Sequence, residues 1–137
     1  KHYIIPCTTK YNIKPSIKVH RLFMKAESKW DVQLRKGSLE LVILAALQPK
    51  ALYGLELLNY LHEFETMKIS EGTLYPLLDR LKREGIIDAN WVQEGELRPR
   101  KYYTLNQQGQ QRLTDMNARW QQSVNDIHAL LKRTKTN

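Results

Sequence analysis

The residue types that do chemistry are thinly spread along these 137 residues. The histidines His2, His20, His62 and His128 are scattered, and none stands in a His-Glu-x-x-His or cysteine–histidine spacing that could hold a metal. The one cysteine, Cys7, can build neither an intramolecular disulfide framework nor a thiolate cluster. No glycine-rich run has the form of a phosphate cradle. His62-Glu63 falls on a helical stretch, where such a pair is ordinarily solvated surface. These residues support no enzyme, no metal and no cofactor.

Two other groups of residues offer binding chemistry instead. In Ser70-Glu71-Gly72-Thr73-Leu74-Tyr75-Pro76, the hydroxyls of Ser70, Thr73 and Tyr75 can hydrogen-bond phosphates or base edges, and their apolar atoms can meet thymine methyls. Arg98, Arg100 and Lys101 lie within four residues, followed by Tyr102 and Tyr103, and arginines at a hairpin tip can reach phosphates or a neighbouring minor groove. Each group also has a plainer reading. Ser70 can be only a helix cap and Tyr75 only a packed aromatic. A charged hairpin is usually just solvated, and Glu94 and Glu96 dilute its field.

Net charge does not decide between these readings. Of the formal +8, residues 1–33 contribute seven Lys/Arg against two Asp/Glu, so most of the excess lies ahead of both groups. Hydrophobic content of 42% and charged content of 26% indicate one globular domain with a real core. No apolar run approaches the roughly 18 residues that span a bilayer. Residues 1–33 read as a basic N-terminal extension without the apolar stretch of a signal peptide. Met24 is a candidate start within it, which would make residues 1–23 appended sequence in preference to a basic arm. A single thiol suits a reducing, cytoplasmic setting.

The elements that position the two groups follow from periodicity. Lys36 to Gln48 is apolar nearly all round, as a central helix is, and Pro49 closes it. Leu57, Leu58, Leu61 and Phe64 place a second helix over Tyr53 to Phe64. Ser70 caps a third helix, with Leu74, Leu77, Leu78 and Leu81 as its buried stripe, Pro76 near the first turn and Gly85 as the stop. Ile87, Ala89 and Trp91 then alternate as a half-buried strand. A polar tip follows, Glu94-Gly95-Glu96 and Arg98-Pro99-Arg100, and Tyr102 to Leu105 returns. The fold class is mainly α with a small β-hairpin wing: a winged helix-turn-helix over residues 34–105. In that context both groups read as DNA-binding.

Residues 106–137 form the last element, a long helix over Asn106 to Arg133 in which Gly109 is tolerable. Leu113, Met116, Trp120, Val124, Ile127 and Leu131 recur at spacings of three and four. A domain this small has little surface to cover such a stripe, so it calls for a partner.

The residues also resemble a known family. Leu34-Arg35-Lys36-Gly37-Ser38-Leu39-Glu40, Tyr53-Gly54, the Ser70 to Pro76 run, Leu81 with Glu84-Gly85, and Arg100-Lys101-Tyr102-Tyr103-Thr104-Leu105 look like the PadR transcriptional regulators, in the compact subgroup with a single C-terminal dimerisation helix. The resemblance covers about residues 34–131. It implies a homodimeric repressor on a pseudo-palindromic double-stranded operator, released in many members by phenolic acids or flat hydrophobic ligands. DNA contacts are then expected from Lys36, Ser70, Thr73, Tyr75, Arg98, Arg100, Lys101 and Tyr103, and dimer contacts from Leu113, Met116, Trp120, Val124, Ile127 and Leu131. Trp120 would either flank a planar ligand or simply fill the dimer core. The competing reading is a winged-helix adaptor that binds protein without an effector, and such a surface would expose apolar residues where this one carries polar and basic ones.

Overall fold

The computed structural model describes residues 27–133; Cys7, Met24 and the basic segment before Met24 lie outside them. The elements run α1 (Lys29–Leu47), β1 (Leu52–Tyr53), α2 (Gly54–Leu61), α3 (Glu71–Arg83), β2 (Ile87–Val92), β3 (Arg100–Leu105) and α4 (Gln107–Leu131). This is the winged helix-turn-helix order followed by one long helix. The sheet has three antiparallel strands in the order β1-β3-β2, so β3 is central. Among the described residues, no helix is long and apolar enough to cross a membrane.

The core lies where the first three helices meet the sheet. Ile43, Leu44 and Leu47 of α1, Leu57 and Leu61 of α2, Leu74, Leu78 and Leu81 of α3 and Ile87 of β2 are all fully enclosed. Branched aliphatic side chains at helical spacing give each helix one face to bury, and three such faces close on one another.

Several boundaries differ from the sequence expectation for identifiable reasons. Helix α1 begins at Lys29 and not Lys36, because Ser28 and Asp31 form a capping box: the Ser28 hydroxyl accepts from the Asp31 amide at 3.1 Å and the Ser28 amide donates to Asp31 Oδ2 at 2.9 Å. The hydrogen bonds from the Ser28 side chain and backbone hold the Asp31 carboxyl below its ordinary value. Helix α2 is shorter than its apolar spacing suggests at both ends. Tyr53 is drawn into β1 opposite Tyr102, and beyond Leu61 the chain turns. His62 Nε2 donates to the Ile69 carbonyl at 2.7 Å across that turn, so it braces the approach to α3 instead of facing solvent idly.

Helix α3 ends in a full Schellman motif. Gly85 adopts φ +74°, its amide donates to the Lys82 carbonyl, and the Ile86 amide donates to the Leu81 carbonyl, both at 3.0 Å. Pro76 sits deeper than expected, as the sixth residue of α3. The amide it lacks would have met Gly72, whose exposed backbone leaves that carbonyl open to water.

The first turn of α4 is pressed against this corner. Asn106 caps it, accepting from the Gly109 amide at 2.9 Å while its own amide nitrogen donates to the Gly85 carbonyl at 2.8 Å. A Cβ on Gly109 would fall on the Ile86 carbonyl oxygen and lie 2.5 Å from Leu105 Cδ1. Glycine there is a packing requirement, which is stronger than the mere tolerance the sequence suggested.

Candidate nucleic-acid interface

The start of α3 is presented to solvent while its leucines hold it down. Ser70, Glu71, Gly72 and Thr73 are exposed, and Leu74 four residues on from Ser70 is fully buried. The Ser70 hydroxyl accepts from the Thr73 amide at 3.2 Å and meets the Thr73 hydroxyl at 3.1 Å. Ser70 is therefore a true cap, a role typically worth about 1 kcal/mol. Its remaining surface and that of Thr73 still face outward, so cap and contact coexist in one turn.

Tyr75 is more constrained than Thr73. It is 37% exposed, and its ring lies so close over the start of α2 that a Cβ on Gly54 would sit 2.5 Å from Tyr75 Cε1. The Tyr-Gly pair at 53–54 thus makes room for the aromatic of α3. Only the outer part of Tyr75 is available to a ligand.

The wing divides into a braced stretch at the outer end of β3 and an open tip. At that outer end, the Arg100 guanidinium lies 4.6 Å from the Tyr53 ring centroid, and Tyr53 meets Tyr102 edge-on at 5.5 Å. Lys101 Nζ stands 5.7 Å from the Tyr103 centroid. At the tip, Gly95 turns the chain at φ +59° and Arg98 is exposed. Lys36 is exposed on α1.

Tyr103 corrects an expectation. It is 3% exposed and belongs to the core, so its ring cannot touch a duplex. Burial first, then Asp79 and Tyr75, raise its phenol above the ordinary value, and those neighbours place the Tyr103 side of β3 towards α3.

Trp91 departs from the sequence expectation too. Ile87 is 1% exposed but Trp91 is 70% exposed, because the hairpin runs out beyond the helices and alternation no longer implies burial. Trp91 pairs with Lys101 and Val92 with Arg100, which sets an apolar side chain beside each of these cations. Leu97 at the tip is exposed as well.

Known proteins share this geometry. The model of the transcriptional regulator PadR-like family matches residues 43–115. The chain belongs to that family. A PadR-like transcription factor from Bacteroides fragilis is 33% identical and superposes with TM-score 0.63, covering 75% of this chain and 99% of its own. A PadR family regulator from Eggerthella lenta is 27% identical with TM-score 0.70, covering 87% of this chain and all of its own. A PadR-like regulator from Bacillus cereus is 30% identical with TM-score 0.68, covering 74% of this chain and 99% of its own. Family membership makes this chain a DNA-binding transcriptional regulator.

On the last helix the expected stripe separates into two parts. Leu113 is 6% exposed inside its own chain's core, and Met116 packs against that core, so Leu113 is an intramolecular contact and not a seam residue. Farther along, Trp120 is 46%, Ile127 54% and Leu131 77% exposed, with Val124 half-buried between them. Leu130, beside the stripe and outside the expected set, is 68% exposed. Trp30 and Leu34 at the start of α1 are also exposed, and the sequence hides Trp30 because residues 1–33 read as an appendage.

Proposed function

We propose that this PadR-like chain is a cytoplasmic homodimeric repressor that binds a pseudo-palindromic operator through its winged helix-turn-helix and dimerises chiefly through α4, with the residues ahead of α1 as a basic extension. The observation that carries the reading is the exposed Ser70–Thr73 turn of a firmly seated helix beside a wing with three cations. The α3 helices enter successive major grooves, roughly 34–36 Å apart, while Arg98, Arg100 and Lys101 grip the flanking backbone and Lys36 adds a phosphate contact. Met116, Trp120, Val124, Ile127 and Leu131 form the seam between copies, with Leu130, Trp30 and Leu34 at its margins. A phenolic or flat aromatic effector stacks between two Trp120 rings and shifts the angle between the DNA-binding domains.

One feature favours the adaptor reading instead: Trp91, Val92 and Leu97 leave apolar side chains exposed on the wing. Selection of bound sequences from random duplex DNA separates the two. A two-fold symmetric site with fixed spacing supports the operator reading, and no enrichment overturns it. Given a site, Arg98→Ala weakens binding to every duplex and lowers the salt slope by about 0.9, the change expected when one phosphate is no longer neutralised. Thr73→Ala instead changes the ratio of operator to random binding. For the effector, fluorescence of Trp120 is followed as phenolic acids are added to a chain with Trp30 and Trp91 replaced by Phe; an unchanged signal for all of them removes the effector.

A further inference from the structure

Four charged side chains from three helices close a ring at the base of α4. Glu40 projects from α1, Arg80 from the last turns of α3, Glu84 from the cap of α3, and Arg112 from the second turn of α4. Arg112 Nη1 donates to Glu40 Oε1 at 2.9 Å and to Glu84 Oε2 at 2.8 Å. Arg80 donates through Nη1 to Glu84 Oε1 at 3.1 Å and through Nη2 to Glu40 Oε2 at 3.3 Å. Each carboxylate thus bridges both guanidiniums, and each guanidinium bridges both carboxylates. The side chains are between 22% and 43% exposed, so water reaches the ring without dissolving it. Hydrogen bonds from Arg112 and Arg80 lower the Glu84 carboxyl, and the two carboxylates raise both arginines.

A single exposed ion pair adds little to stability and a network adds more, but stability alone does not account for a ring that ties three helices together at this point. A closed ring of four charges does something else: it restricts direction, because a guanidinium held between two carboxylates tolerates little rotation. Direction matters most at this point in the molecule. Leu113 anchors α4 one residue after Arg112, while beyond Met116 the helix leaves the body of the protein. From Arg112 to Leu131 the helix extends about 28 Å at 1.5 Å per residue, so a tilt of about 10° at the ring moves its far end by roughly 5 Å. The same ring holds the C-terminal end of α3, whose other end carries the DNA-facing turn.

We propose that the Glu40–Arg80–Glu84–Arg112 ring is the joint that sets the angle between the recognition helix and the dimer helix, and thereby the half-site spacing the protein accepts. The spacing consequence rests on the operator-binding dimer proposed above; the angle does not. The four residues are positioning residues, since none of them faces the DNA-binding turn.

The test reads angle and spacing separately. Spin labels are placed at Glu71→Cys and Ser123→Cys in one full-length chain carrying Cys7→Ser, and the distance between them is measured by pulsed electron resonance. The expected result is a narrow distribution for the parent ring, a broadened or shifted one for Arg112→Leu, and an intermediate one for Arg112→Lys, which keeps the charge on a more flexible, non-planar head. Identical distributions in all three overturn the proposal, whether or not the chain binds DNA. Against operators whose half-sites are moved by one or two base pairs, Arg112→Leu is expected to bind the best spacing about tenfold less tightly and the poor spacings no worse, a loss of about 1.4 kcal/mol. Its affinity for an isolated half-site is expected to stay unchanged. An unaltered spacing preference, or an equal loss on the half-site, also overturns the proposal. Failure of the parent chain to bind any operator would instead count against the operator reading.

Discussion

Helices α3 and α4 both carry an apolar stripe at spacings of three and four, and the fold uses the two stripes differently. In α3, Leu74, Leu78 and Leu81 are completely enclosed, so the stripe is spent within the chain and the opposite face is held rigidly outward. In α4 Leu113 reaches the core and Met116 packs against it, while Trp120, Ile127 and Leu131 farther along are exposed. Equal periodicity therefore hides unequal roles. An apolar stripe states that something must cover it, while the reach of the surrounding elements decides whether that cover is the same chain. The contrast suits the dimer proposed above, with one helix fixed for reading and another left open for pairing.

The contrast is most directly broken by truncating each stripe. Leu78→Ala is expected to lower unfolding stability by about 2–5 kcal/mol, read by urea denaturation. Ile127→Ala is expected to leave the dilute chain within about 0.5 kcal/mol of its parent while weakening self-association in sedimentation. Equal losses of stability would mean that the far half of α4 packs on its own chain.

Next in size is the junction between the stripes. Gly109→Ala drives a methyl group into the Ile86 carbonyl and Leu105, and overpacking of this kind costs about 1–3 kcal/mol. A lowered thermal midpoint with a loosened α4, seen as faster amide exchange near Asn106, is the expected outcome. Undiminished stability would show that α4 is not pressed against the β2 corner.

A smaller effect is expected from acid. Glu84 titrates below its unfolded value, so its contribution is complete above about pH 4.3, the ordinary glutamate value, and disappears as pH falls through the lower folded value. The stability difference between the parent chain and Arg112→Leu should therefore narrow below about pH 4. A constant difference would mean that Arg112 acts through its aliphatic stem alone.

The smallest effect concerns Gly37, mid-helix in α1 with open space where a Cβ would stand. Gly37→Ala is expected to stabilise the dilute chain by about 0.5–1 kcal/mol. If the same change weakens self-association, a second copy approaches α1 closely at this point, and the α1 surface near Leu34 joins the seam.

Much of the fold is legible in the residues themselves. Ser70 as a cap, Gly85 as a stop and the leucines of α3 are local signals, because capping and periodicity act within a few residues. The features that escape such signals are those set by distant partners. Strand β1 is two residues long and exists only because Leu52 and Tyr53 find Tyr103 and Tyr102 across the sheet. Tyr103 looks like part of a basic surface until β3 turns it into the core, and Trp91 looks inward until the hairpin outruns the helices.

The candidate binding residues divide the same way. Sequence alone determined the exposed hydroxyl-bearing turn at Ser70 and Thr73, the cations of the wing and the family, because each depends on residue type and short-range order. Tertiary structure alone decided that Tyr75 rests on Gly54, that Arg100 is braced on Tyr53, that Leu113 stays within the chain, and that Glu40, Arg80, Glu84 and Arg112 meet. Those four residues are separated by up to 72 positions, and no local pattern signals that three helices will converge to bring their charges within hydrogen-bonding distance.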